Sequence, residues 1–85
     1  MEIIYSPEAQ EDIKAWKRSG DKNIMNRISS LISSIEETPF SGIGKPEALK
    51  YDLIGCWSRR ITKEHRLVYR VSTNKIEIIS LRFHY

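Results

Sequence analysis

The spacing of the apolar positions changes near residue 47, and that change divides the chain into a helical half and a strand half. Glu2 to Tyr5 (EIIY) is a short strand-like run, followed by Ser6-Pro7, which reads as a helix start. Ser6 is the cap, and Pro7 takes the first helical position, where its missing N–H is no loss. Ala9, Ile13 and Trp16 then fall at helical spacing, and Ser19-Gly20 ends the segment. Asp21 caps a second helix whose Ile24, Ile28, Leu31, Ile32 and Ile35 form one apolar face until Thr38-Pro39 stops it. The two segments predict a helical hairpin.

TPFSGIGKP, residues 38–46, reads as a loop. It is not a phosphate-binding P-loop, because Gly44-Lys45 runs into Pro46 rather than into the start of a helix. Beyond it the period becomes two. Trp57, Arg59 and Ile61 alternate with Ser58, Arg60 and Thr62. Leu67, Tyr69 and Val71 alternate with Arg66, Val68 and Arg70, and Ile79, Leu81 and Phe83 alternate with Ser80, Arg82 and His84. This predicts an α+β fold: an N-terminal strand, a helical hairpin, then an antiparallel meander with one face on the helices. Leu67, Tyr69, Ile79, Leu81 and Phe83 are expected inside, and Ile76 and Ile78 on the open face. With Tyr69 opposite Ile79, Arg66 would face Arg82 one diagonal step from His84.

At 85 residues the sequence reads as one domain over positions 1–85, with a modest core, since a chain this small buries only roughly 60% of its unfolded surface. Cys56 is the single cysteine and cannot form an internal disulfide, so packing must hold the fold, as suits a cytoplasmic protein. No apolar run approaches the ~20 residues of a membrane span, and the acidic beginning does not resemble a signal peptide. The net charge of +3 is unevenly spread. Residues 1–44 hold five Lys and Arg against seven Asp and Glu, whereas residues 45–85 hold nine against four. That asymmetry favours a polyanion, above all nucleic acid, as the partner of the second half.

The candidate chemistry lies in the same half. His84 can exchange a proton near neutral pH, and Arg66, Arg82, Arg70, Arg59 and Arg60 can hold phosphates through forked hydrogen bonds. Glu47 lies between Lys45 and Lys50 and is a candidate base. His65 sits in a hairpin turn and is expected to be exposed. Glu64-His65 lacks the second histidine of a zinc motif, and Cys56 has no metal-ligand partner nearby in sequence. Glutamate, arginine and histidine suffice for RNA cleavage without a metal or cofactor. A base takes the ribose 2′-hydroxyl proton, a cation stabilises the phosphorane, and an acid protonates the departing 5′-oxygen.

GKPEALK, then GCWSRRITKEHRLVYRV, then the terminal FHY closely resemble the Txe/YoeB toxins of the wider RelE/ParE superfamily. The resemblance implies the toxin of a toxin–antitoxin pair, an endonuclease that cuts mRNA in the ribosomal A site. It puts the family's base on Glu47, its phosphate-stabilising arginine on Arg66, its acid on His84 and its terminal tyrosine on Tyr85. Lys50, Arg59 and Arg60 match basic positions expected at the RNA, with Lys45 and Arg82 in support. A YefM-like antitoxin is the implied protein partner, and toxins of this type tend to dimerise. Cys56 departs from the family's usual aromatic and Phe83 from its usual tyrosine, which bears on packing rather than on the chemistry. The competing reading is a ParE-like toxin that poisons DNA gyrase without cleaving RNA. Such a toxin has no need of the glutamate, arginine and histidine together.

Overall fold

The structure is a computed structural model in which residues 1–82 are described. The expectations for Phe83, His84 and Tyr85 therefore lie outside the described residues. In chain order the elements are β1 (Glu2–Tyr5), α1 (Pro7–Ser19), α2 (Lys22–Glu37), β2 (Glu47–Ala48), a single 3₁₀ turn (Tyr51–Leu53), β3 (Trp57–Arg60), β4 (Arg66–Ser72) and β5 (Lys75–Ser80). The strands form one sheet in the order β1-β5-β4-β3-β2. The expected meander of β3, β4 and β5 is antiparallel. β1 joins it parallel to β5, and the short β2 adds an outer antiparallel strand beside β3.

The helix ends form as their residues require. Ser6 Oγ accepts the Ala9 N–H at 3.0 Å, Asp21 Oδ1 accepts the Ile24 N–H at 3.1 Å, and Gly20 closes α1 in the left-handed region at φ 73°. Both caps satisfy helix N–H groups that have no partner within the helix. Ile28, Leu31 and Ile35 of α2 pack with Ala9 and Trp16 of α1 on Ile61, Leu67, Tyr69, Ile76, Ile78 and Leu81 of the sheet half. Ile13, expected on the α1 stripe, is only partly buried, and Asp12 beside it is 8% exposed.

Ile76 and Ile78 are fully buried, not open. Tyr69 pairs with Ile78, whereas Val68 pairs with Ser80, so Ile79 is the extra residue of a β-bulge. A bulge shifts alternation by one, which reverses the faces on its two sides. That shift is how Ile76, Ile78 and Leu81 all reach the core, although no unbroken period of two could put them there. The register expected from Tyr69 opposite Ile79 holds only beyond the bulge.

Candidate active site on the open face of the sheet

The loop after α2 is built around a buried arginine. Arg59, on the helix-facing side of β3, is 0% exposed. Its Nη2 donates to the Thr38 and Ser41 carbonyls, both at 2.7 Å. Its Nη1 donates to Ser34 Oγ at 2.6 Å and to the Ile43 carbonyl at 3.1 Å, and its Nε to Tyr69 Oη at 3.2 Å. The Tyr69 hydroxyl in turn donates to the Pro39 carbonyl at 2.6 Å. Burial pushes the Tyr69 phenol above its ordinary value of 10.0, while the Arg59 hydrogen bond and positive charge pull the other way. Arg59 therefore does not reach the open face as an RNA contact was expected to: alternation along β3 turns it inward, and its donors are directed at the loop.

The clamped loop delivers Glu47. The Gly44 carbonyl accepts the Arg60 N–H at 2.7 Å, docking the segment onto the end of β3. Gly44 has φ 84°, and a Cβ there would lie 2.7 Å from Leu31 Cδ2, so glycine alone permits this approach. Three residues later Glu47 pairs with Ser58 across β2 and β3.

On the face away from the helices, Ser58, Val68 and Ser80 are fully buried. Arg66 extends over this floor from β4. Its Nη1 donates to Ser58 Oγ at 3.3 Å and stands 3.9 Å from Glu47 Oε2. The Arg66 side chain is 19% exposed and that of Glu47 63%, so the arginine is embedded and the carboxylate accessible. Arg60 is directly opposite Arg66, and Arg70 lies four residues along β4 on the same face, beyond Val68. Like charges placed directly opposite each other are unfavourable in a sheet. The arrangement suits a bound anion better than it suits stability. Arg70 Nη2 also approaches Cys56 Sγ at 3.5 Å.

The other expected site residues are more dispersed. Arg60, Lys45 and Lys50 are exposed, the last two flanking Glu47 in sequence, and Lys45 has φ 51°. Arg82 brings its guanidinium carbon to 6.0 Å from the Trp16 ring centroid, next to Leu81, whose backbone is held by Asp12 and Trp16 of α1. His65 is half-buried rather than exposed, with its ring edge-to-face on Trp16 at 4.8 Å. Ser58 escaped the sequence reading, although its β3 position opposite Glu47 was its only signal. Among the described residues no three His, Cys, Asp or Glu side chains gather as a metal would require. A groove of about 460 Å³ beside α2, lined by Ser29, Ser30, Ser33, Ser34, Glu37 and Ile43, contains none of the expected site residues.

The fold is that of a small bacterial toxin. A solved YoeB/ParE toxin from Agrobacterium tumefaciens is similar over the whole of both chains, with a TM-score of 0.95 and 46% identity. The YoeB–YefM complex from Staphylococcus aureus contains a chain of TM-score 0.90 and 45% identity, covering 100% of this chain and 98% of that one. Toxin YoeB of Synechocystis is 54% identical over 85 residues, spanning 100% of this chain and 98% of the relative. Residues 5–85 match the model of the YoeB-like toxins of bacterial type II toxin–antitoxin systems, and the chain belongs to that family. No helix among the described residues is long and apolar enough to cross a membrane.

Proposed function

We propose that this toxin is an endoribonuclease that cuts mRNA in the ribosomal A site and so inhibits translation. The observation that carries the reading is the meeting of Glu47 and Arg66 over Ser58, 3.9 Å apart on a face where Arg60 opposes Arg66. Glu47, the accessible partner, takes the proton of the ribose 2′-hydroxyl, and the new alkoxide attacks the adjacent phosphorus. Arg66 stabilises the negative charge that gathers on the phosphorane oxygens, its guanidinium held by Ser58 so that little reorganisation is needed. His84 protonates the departing 5′-oxygen, with Tyr85 in support. The products are a 2′,3′-cyclic phosphate on the upstream fragment and a free 5′-hydroxyl on the downstream one. Lys45, Lys50 and Arg60 add positive charge along the path of the message.

A YefM-like antitoxin is the partner we assign, as in the Staphylococcus aureus complex. Its binding surface includes the basic face, so that inhibition and substrate exclusion coincide. Self-association as a dimer and a cytoplasmic setting complete the reading.

Purified protein added to ribosomes carrying a bound message tests it. Cleavage within the A-site codon, a 2′,3′-cyclic phosphate upstream, and loss of most of the rate in His84→Gln are expected. A wild type that inhibits gyrase and leaves the message intact would replace the nuclease with the ParE-like reading. Undiminished cleavage by His84→Gln would remove the acid assignment alone.

A further inference from the structure

β5 ends at Ser80, and side chains of α1 take hold of the backbone one residue later. Asp12 Oδ2 accepts the Leu81 N–H at 2.8 Å, and Trp16 Nε1 donates to the Leu81 carbonyl at 2.9 Å. Just before α1, Ser6 Oγ donates to the carbonyl of the bulge residue Ile79 at 2.6 Å. Backbone groups that a longer β5 would pair with a strand are thus paired with side chains. Asp12 is 8% exposed and Trp16 9%, so both bonds are sheltered from water.

An aspartate is a poor choice for this position if stability were all that mattered. It interrupts the apolar stripe of Ala9 and Trp16, and a buried carboxylate is unfavourable unless hydrogen-bonded. A leucine would bury more apolar surface but would leave the Leu81 N–H without its acceptor. What Asp12 supplies, and leucine cannot, is a fixed backbone at Leu81. Ser80 pairs with Val68, two residues along β4 from Arg66. His84 follows Leu81 by three residues, a reach of at most about 11 Å. The point at which Leu81 is held therefore bounds, by chain length alone, how far from it His84 can lie.

We propose that Asp12 and Trp16 are positioning residues for the cleavage reaction, gripping both polar groups of the Leu81 peptide backbone to set the departure point of the segment that carries His84. The inference rests on the nuclease reading above. Trp16 also carries the Arg82 guanidinium over its ring and the His65 ring at its edge, so the same indole braces the residue after Leu81 and the residue before Arg66.

The test compares the full-length wild type with Asp12→Leu, Asp12→Asn, Trp16→Phe and His84→Gln on ribosome-bound message, well below each protein's unfolding midpoint. Hydrogen exchange at the Leu81 amide is followed in parallel. Misplacing a catalytic group by about 1 Å can lower a rate ~100-fold. Asp12→Leu should therefore lower kcat by roughly 10- to 100-fold with KM nearly unchanged, and should speed Leu81 exchange while Ile76 and Ile78 stay protected. Asp12→Asn keeps an acceptor oxygen and should restore most of kcat, whereas Trp16→Phe should lose about tenfold. If Asp12→Leu does not fold, Trp16→Phe carries the test, since it removes the indole N–H and keeps an aromatic ring.

Wild-type kcat in the folded Asp12→Leu and Trp16→Phe variants, with cleavage abolished in His84→Gln, overturns this inference and leaves the nuclease reading standing. A rise in KM at constant kcat also overturns it. No cleavage by the wild type overturns the nuclease reading, and this inference with it.

Discussion

Arg59 and Arg66 lie on neighbouring strands, β3 and β4, and on opposite faces of one sheet. Arg59 is enclosed by oxygens, all neutral: three loop carbonyls, a serine and a tyrosine hydroxyl. Arg66 meets one serine hydroxyl and, at 3.9 Å, one accessible carboxylate, and it faces Arg60 across the ladder. The first arginine spends its donors on folding a loop. The second retains donors for something else, and the like charge of Arg60 opposite it favours an anion beyond the one distant carboxylate of Glu47. Burial alone does not separate structural from functional arginines; the distribution of partners does.

The strongest attempt to break this contrast is to remove each guanidinium in turn. Arg59→Leu strands the Thr38, Ser41 and Ile43 carbonyls and the Ser34 and Tyr69 hydroxyls in the interior, and should cost on the order of 4 kcal/mol in urea unfolding. Arg59→Lys should recover only part, having three donors in place of five. Arg66→Leu should behave oppositely. Its unfolding free energy should change by less than about 1 kcal/mol, since its ion pair is long and half open to water. Its cleavage rate should fall by ~10²–10³, the usual loss for a group that stabilises transition-state charge. If Arg66→Leu proved the more unstable of the two, the contrast would be wrong.

Much of this arrangement was legible in the sequence. The caps at Ser6 and Asp21, the α2 stripe and the change of period were visible because each is a local rule, satisfied within a few residues. Glu47 and Arg66 were identifiable as chemistry, and the structure brings the two together. What escaped depends on contacts distant in sequence. Arg59 and Arg60 are adjacent arginines in one WSRRI run; alternation puts Arg59 on the face of Trp57 and Ile61, but the loop carbonyls that make a buried arginine tolerable there come from residues 38–43, distant in sequence. The bulge at Ile79 is invisible to a fixed period, because no glycine or proline marks it. Arg82 could not be assigned to Trp16 without knowing that Asp12 and Trp16 hold the backbone at Leu81.

A milder perturbation tests whether the Arg59 loop serves the Arg66 face. Gly44→Ala would force a Cβ to within 2.7 Å of Leu31 Cδ2 and 3.1 Å of Arg59 Cβ, at a φ of 84° that alanine disfavours. Leu31 is fully buried, so its side chain would have to shift within a packed core. A stability loss of about 2 kcal/mol is expected. Because the Gly44 carbonyl docks onto the Arg60 N–H three residues before Glu47, cleavage by the folded fraction should also fall. A variant that loses stability but keeps full turnover per folded molecule would uncouple the loop from the site.

The smallest effect isolates one bond of the interior network. Tyr69 accepts from Arg59 Nε and donates to the Pro39 carbonyl, so Tyr69→Phe should cost about 1 kcal/mol near neutral pH. Burial raises the Tyr69 phenol above its ordinary 10.0, so the unfolded chain releases this proton at lower pH than the native one does. Tyr69 therefore supports the fold fully below pH 10, and its contribution declines as pH rises from there toward the native value. The Tyr69→Phe variant should lose less stability than wild type over that alkaline range, so the gap between them narrows. Arg59 stays charged throughout and opposes the shift, which limits the narrowing. A gap that widens above pH 10 would mean that phenolate formation beside Arg59 strengthens the clamp, and that charge there outweighs burial.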